Sequence, residues 1–457
     1  HTHVLLPNTQ PRADGTLVSI DSKSLHHEAK AAGIIYQITL RHETHQSLGL
    51  EWGPIDPHTG MAEIAGVDRD QLAAGSQRST QLRQWAEHNL VLNEAAEGSA
   101  AQLAAAQRAT RPAKPEHKPW AELRQEWATR FGAFRIEEQA QVQARRQRET
   151  QPINVLTAAR TAAAGIDKPA FTRADLIETI GARMPVVVKG APVGPRDLLE
   201  AMAERLAVRI NQPRQAHERE GHDRFTVAPV LAEETAIVEL MGARDPRGVL
   251  DPDVVDTAGL SPDQARAITA IASSPWLIQP LSAPAGAGKT TSLKALRAAA
   301  YRGGKTRVLV AAPTGKAVDV AVREGAGDTG YTVAKAVKDL RAGALRLDHR
   351  TLVVVDEAGM VGTPDLRALL TAATAAGAKT VLVGDAYQLA PVKARAGMFY
   401  QLVEDLPWAQ RLSEVWRMHD ADERAASLAV RNGGPQPLRR AIAWYRTHGR
   451  LHTGDGL

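Results

Sequence analysis

Three short stretches of this chain combine residue types that handle phosphates. The first, Ala283-Pro284-Ala285-Gly286-Ala287-Gly288-Lys289-Thr290, is a run of small residues ending in a cation and a hydroxyl. Small side chains let backbone N–H groups face phosphate oxygens, Lys289 can reach the β- and γ-phosphates of a nucleotide, and the Thr290 hydroxyl suits Mg²⁺. Gly286, Gly288, Lys289, Thr290 and the adjoining Thr291 are the candidate cofactor-binding residues. In the second stretch, apolar Leu352-Val353-Val354-Val355 stops at Asp356-Glu357. Adjacent carboxylates that point different ways can divide labour: Asp356 would hold Mg²⁺ with Thr290, and Glu357 would orient and deprotonate an attacking water. In the third, Val381-Leu382-Val383 runs into Gly384-Asp385-Ala386-Tyr387-Gln388-Leu389, where Gln388 could sense a γ-phosphate. The chemistry implied is hydrolysis of ATP with Mg²⁺. Each stretch has a plainer reading as a Gly-rich turn, a solvated acidic pair or a polar loop, and the strict phosphate-loop pattern has Gly where Ala283 stands. A phosphate loop followed by an acidic pair at a strand end favours the chemical reading.

Such residues need a sheet to converge on one edge. Buried strands at Trp276 to Leu281, Arg307 to Ala312, Thr351 to Val355 and Thr380 to Val383 alternate with Ala-rich helices. That alternation predicts a parallel sheet covered on both faces, with ligands at its carboxyl ends. Upstream the texture differs. Residues 1–93 mix the apolar run Val4-Leu5-Leu6, a turn at Asp14-Gly15, a strand at Leu17 to Ile20 and amphipathic helices, which together read as part of an α+β domain. Residues 94–165 turn to Ala, Gln, Arg and Glu, broken by Pro112, Pro115 and Pro119, and read as a helical connector. Residues 166–258 carry helices at Arg173 to Ile180, Pro195 to Val208 and Ala232 to Met241 around a strand at Pro185 to Val188, a small accessory domain.

The totals limit the rest. A chain of 457 residues is long enough for several cores, and 56 Lys and Arg against 51 Asp and Glu permit a polyanionic partner without demanding one. The absence of cysteine excludes disulfides, thiolate metal sites and thiol nucleophiles, and fits the cytoplasm. No apolar run reaches the ~18 residues a membrane-spanning helix requires, so membrane insertion is not expected.

The ordered set of motifs resembles the superfamily 1 helicases, and their RecD-like branch in particular. Four pieces carry the likeness: Leu260-Ser261-Pro262-Asp263-Gln264, Ala312-Pro313-Thr314-Gly315-Lys316-Ala317, Asp356-Glu357-Ala358-Gly359, and Gly384-Asp385 through Gln388-Leu389. The resemblance implies that Gln264 reads the adenine edge and that Thr314 and Lys316 lie along a single DNA strand, through phosphate contacts that carry no sequence information. Leu412-Ser413-Glu414-Val415-Trp416-Arg417 looks like the family's fourth motif, which makes Arg417 an arginine finger from a second motor lobe.

At the other end, His1-Thr2-His3-Val4-Leu5-Leu6-Pro7-Asn8 places two imidazoles on one face of a strand, where both could reach one divalent ion. With Asp14-Gly15-Thr16, Leu48 to Trp52, Glu63 to Val67 and Ser76 to Ser79, the stretch resembles conjugative relaxases of the TrwC/TraI (MobF) type, in which a nicking HUH endonuclease domain precedes a RecD-like helicase. The expected fold is multidomain α/β. A RecA-like parallel-sheet P-loop ATPase lobe (259–410) follows a partial α+β relaxase domain (1–93), a helical connector (94–165) and a helicase accessory domain (166–258); the start of a second lobe (411–457) comes last. The chain opens inside a patterned strand and lacks the family's catalytic tyrosine, third histidine and complete second lobe, so a truncated piece is expected. The implied cofactors are ATP, Mg²⁺ and a divalent metal at His1 and His3. The implied partners are single-stranded and duplex DNA and the conjugation machinery. Two other readings stay open: a repair helicase motor without nicking activity, and a non-catalytic DNA-binding remnant.

Three further features are assigned ordinary roles. Arg145, Arg146 and Arg148 read as a solvated helix face, Trp120 and Trp127 as packing residues seven apart on one helix, and Tyr36 as core or surface packing instead of a nucleophile.

Overall fold

The computed structural model describes residues 7–20, 22–57, 59–75, 77–89, 106–110, 118–132, 135–150, 154–185, 194–213, 215, 218, 221–388, 395, 397–416, 418 and 420–451. His1, His3, the Val4-Leu5-Leu6 run, Ser76, Pro112, Pro115, Val186 to Val188, Leu389 and Arg417 lie outside the described residues. The chain divides into two units. One comprises His1–Ala163, Thr172–Leu206 and Pro213–Asp223, and the other Ala164–Phe171, Ala207–Gln212 and Arg224–Leu457.

In the first unit, β1 (Thr9–Pro11) and β2 (Leu17–Ser19) pair antiparallel around the expected turn. Asp14 accepts from the Thr16 N–H at 2.9 Å and Gly15 takes φ 80°. The helix Ser22–Leu48 buries Ala31, Ile34, Ile38 and Arg41, a stripe at helical spacing, and packs on the helices Arg173–Gly181 and Pro195–Leu206. The fit is close: a Cβ on Gly181 would lie 2.2 Å from Ile34 Cγ2. Glu51, buried, is gripped by Arg148 (2.9 Å) and Arg145 (3.4 Å) from the helix Glu138–Thr150. Burial raises the Glu51 pKa, but the hydrogen bond and charge of Arg148 outweigh it and hold the carboxyl below its ordinary value. Arg148 is thus a structural partner of Glu51, whereas Arg145 and Arg146 stay exposed on the solvated face. Trp120 and Trp127 do share a face of the helix Trp120–Phe131 and meet edge to face at 5.5 Å, yet both are exposed. Tyr36 is exposed in mid-helix.

The second unit is built on a six-stranded sheet in the order β10 (Gln410–Arg411), β5 (Ile278–Ser282), β9 (Lys379–Gly384), β8 (Thr351–Val355), β6 (Arg307–Ala312), β7 (Thr329–Thr332), with every pair parallel. Alternate residues feed two cores. Leu309, Ala311, Val353, Val355 and Leu382 face the helices Ala228–Met241, Val333–Arg341, Thr363–Ala375 and Met398–Asp405. Val308, Val310, Leu352, Val354, Val381 and Val383 face the helices Pro262–Ser273 and Lys289–Arg302. Burial on both faces is why these strands read as unbroken apolar runs. The expected helix from Pro195 to Val208 ends at Leu206, because β3 (Ala207–Arg209) pairs antiparallel with β4 (Phe225–Val227). Among the described residues no helix is long and apolar enough to cross a membrane.

Candidate active site

The carboxyl ends of β5, β9, β8 and β6 carry the residues singled out for chemistry. After β5, Ala283 donates its N–H to Gly384 O at 2.8 Å, tying the loop to the end of β9. Ala283 is fully buried in the core and outside the left-handed region, so the methyl at this pattern position is accommodated without strain. Gly286 (φ 84°) and Gly288 (φ 78°) are left-handed, which only glycine adopts without cost. Gly288 is needed on a second count, since a Cβ there would lie 2.2 Å from Gln264 Nε2. Gly288 also caps the helix Lys289–Arg302 with no side-chain hydrogen bond, so the first-turn N–H groups and the positive dipole end are left for an anion.

Lys289, at the first position of that helix, donates Nζ to Glu357 Oε1 at 2.7 Å. Glu357 has φ 50°, the one left-handed non-glycine among the described residues. Such a conformation costs on the order of 1 kcal/mol. It turns the Glu357 carboxylate to Lys289 while the Glu357 N–H donates to Asp356 Oδ1 at 2.9 Å, so the two carboxylates do diverge. Desolvation pushes the Asp356 pKa up, the Lys289 charge pulls it down, and the neighbouring Glu357 adds to the rise. A group that burial disfavours as an anion is suited to a divalent cation, which supplies the compensating charge. Thr290, in the first turn, donates its hydroxyl to Glu324 Oε2 at 2.7 Å, and Thr291 is exposed beside it. The donor set of open helix N–H groups, one lysine, one hydroxyl and Asp356 fits a nucleoside triphosphate with Mg²⁺.

Gln264 is buried. Its Oε1 accepts from Ser261 N at 3.1 Å and its Nε2 donates to Ala287 O at 2.9 Å, so the amide braces the phosphate loop and keeps one N–H and one lone pair in reserve. Its neighbour Asp263 accepts from Ser413 N (2.9 Å) and Glu414 N (3.1 Å), and Trp416 donates its N–H to Gly286 O at 2.8 Å. The segment leading to Arg417 therefore runs along the loop. Thr314 caps the helix Gly315–Arg323 by accepting from Ala317 N at 3.2 Å, and Lys316 is exposed in the first turn. Gln388 is exposed on the turn after β9, and no hydrogen bond joins its side chain to Lys289 or Glu357. Among the described residues no three His, Asp or Glu side chains gather as a metal cluster.

Sequence reasoning missed two partners of this edge. Glu324 is one. The other is Arg431, on the helix Ala421–Asn432, which forks onto the buried Asp385 at 2.6 and 2.9 Å with its guanidinium 4.5 Å from the Tyr387 ring centroid. Asp385 stood in a recognised motif; nothing local marks Glu324 or Arg431.

Comparison with known proteins divides the chain in the same order. Residues 1–134 match the TrwC relaxase family and residues 259–456 match an AAA domain family. The conjugal transfer protein TraA of Agrobacterium fabrum is 37% identical over 192 residues, 42% of this chain and 17% of that protein. TraA of Rhizobium radiobacter is 35% identical over 219 residues, 47% of this chain and 19% of that protein. The aligned part thus spans less than a fifth of these relatives. The Pif1 helicase from Candida albicans aligns over 43% of this chain and 50% of its own at 21% identity, with a TM-score of 0.31, too loose a likeness to carry an argument.

Proposed function

Taking the chain as a relaxase–helicase of the MobF type, with a TrwC relaxase segment ahead of an AAA domain, we propose that its sheet hydrolyses ATP to drive movement along single-stranded DNA in plasmid transfer. The observation that carries this reading is the Lys289–Glu357 pair at 2.7 Å beside a helix N-terminus open to phosphate. A γ-phosphate entering there would take over Lys289 and release Glu357 toward the attacking water, while Asp356 and Thr290 would hold Mg²⁺. When bound, the metal supplies charge neutralisation on the phosphates. Gln264 would keep the loop in shape and read the base edge with its reserve N–H. Gln388 would report the γ-phosphate, and Arg417 would supply a finger from the following segment. Thr314 and Lys316 would contact the strand at the end of β6.

In domain terms, residues 1–93 would be the tail of the relaxase, 94–165 a connector, 166–258 an accessory domain, 259–410 the ATPase lobe and 411–457 the opening of a second lobe. The relaxase of the whole protein would nick DNA with a divalent metal that His1 and His3 help to hold, and the assembled protein would work in the cytoplasm with the conjugation machinery and with duplex DNA. The TraA relatives support the transfer setting.

The test is ATP hydrolysis by the 457-residue chain, with and without single-stranded DNA, beside Lys289→Ala. Turnover that DNA stimulates and Lys289→Ala abolishes supports the motor. ATP binding with no DNA response would favour a non-catalytic DNA-binding remnant, and no nucleotide binding at all would sink the ATPase reading.

A further inference from the structure

Thr290 is not free in its helical turn. Its hydroxyl donates to Glu324 Oε2 at 2.7 Å. Glu324 closes the helix Gly315–Arg323, its own N–H bonding Val320 O at 2.9 Å. The chain just beyond is pinned to the phosphate-loop helix. Arg297 Nη2 donates to Asp328 Oδ1 at 2.6 Å, Tyr301 hydrogen-bonds the other Asp328 oxygen, and Val308 N–H donates to that oxygen at 2.7 Å. Gly325, at φ 82°, makes the turn against Lys294. The Glu324 carboxylate is thus delivered to Thr290 by fixed backbone.

A threonine hydroxyl has one proton and two lone pairs. Once the proton goes to a carboxylate, the lone pairs face away from that carboxylate, and the charge-assisted bond makes the oxygen a better donor to a cation. We propose that Glu324 is a positioning residue for the metal: it accepts the hydrogen bond of the Thr290 hydroxyl so that Oγ1 presents a lone pair to the Mg²⁺ of a bound nucleotide. This rests on the ATPase reading above. It also gives one short helix two duties, with Thr314 and Lys316 at the end facing the proposed DNA track and Glu324 at the end that sets a metal ligand. A shift of the helix on engaging a strand would reach the metal through a single hydrogen bond.

The competing arrangement has Glu324 occupying Thr290 only until the cation arrives, and it predicts the opposite sign. The experiment measures equilibrium binding of a fluorescent ADP with and without Mg²⁺ for the unaltered chain, Glu324→Ala, Glu324→Gln and Lys289→Ala. Glu324→Ala should reduce the gain in affinity conferred by Mg²⁺ by about tenfold, the scale for groups that orient metal ligands, and leave metal-free binding intact. The near-isosteric Glu324→Gln keeps an acceptor oxygen and guards against misfolding; it should retain most of the gain. An undiminished gain in Glu324→Ala overturns the proposal, as does a Gln variant as impaired as the Ala variant. If Lys289→Ala loses binding while Glu324→Ala keeps the full gain, the proposal alone falls. If the unaltered chain binds no nucleotide, the ATPase reading falls with it.

Discussion

Lysines stand at both edges of the same parallel sheet, and they are held in opposite ways. At the carboxyl edge Lys289 pairs with one charged group, Glu357, and keeps 18% of its side chain exposed. At the amino edge Lys379, fully buried, donates Nζ to Gly248 O at 3.0 Å and Ser274 O at 2.7 Å, while Lys305 donates to Arg247 O at 3.0 Å and His349 O at 2.6 Å. A phosphate can compete with a carboxylate for an ammonium. It cannot reach an amino group sealed among backbone carbonyls. The same residue type is therefore a ligand group at one edge and a tie between loops at the other, and the partner decides which.

The sharpest way to break that contrast is to remove the exchangeable partner. Glu357→Gln takes away both the ion pair of Lys289 and the proposed base. ATP turnover should fall by about 10²–10⁴, the range for a general base, while nucleotide binding persists. Phosphate release measured beside equilibrium binding checks both halves. Turnover that survives would mean that the pair at the carboxyl edge is as structural as the ties at the amino edge.

A smaller effect tests the amino edge. Desolvation lowers the pKa of Lys379 to about 7, against ~10.4 for an unfolded lysine. Between those values the unfolded chain binds a proton that the folded chain does not. Stability from this group is thus fully present above the unfolded value, and it is lost as pH falls through the folded value. Thermal unfolding followed from about pH 7 to about pH 10 should show a rise in midpoint that Lys379→Met flattens. A rise that Lys379→Met leaves unchanged would place the titration elsewhere and remove the distinction between the edges.

What the sequence disclosed follows the same division. β6 and β8 have the bounds their apolar runs predict, because strands buried on both faces advertise themselves without reference to partners. Lys289 and Glu357 were legible for a related reason: each belongs to a short local pattern attached to such a strand. β7, with Gly330 and a partly exposed Tyr331, and the two-residue β10 carry no such run and escaped. The side-chain partners that escaped are joined across the fold. Glu324 meets Thr290 34 residues away, Arg431 meets Asp385 46 residues away, and Arg148 meets Glu51 97 residues away. Periodicity reports which face of an element is buried, and it is silent on which distant side chain a charged residue will find. The helix expected to run to Val208 stops short for the same reason, its last residues being claimed by a strand beyond Gly221.

A second lysine at the carboxyl edge completes the comparison and has the smallest expected effect. Lys316 is exposed and makes no ion pair among the described residues, whereas Thr314, two positions earlier, spends its hydroxyl on the helix cap. Replacing them should separate fold from function. Thr314→Ala removes the cap and should cost about 1 kcal/mol of stability. Lys316→Ala touches nothing that holds the fold, so its unfolding midpoint should stay where it was. If Lys316 meets a phosphate of the strand, its loss should weaken single-stranded DNA binding at every sequence and lower the slope of log affinity against log salt by about 0.7. Titrating a fluorescent oligonucleotide at several salt concentrations reads that slope directly. A slope unchanged in Lys316→Ala would mean that the free lysine of this edge is only solvated, and that the track for the strand runs elsewhere along the sheet.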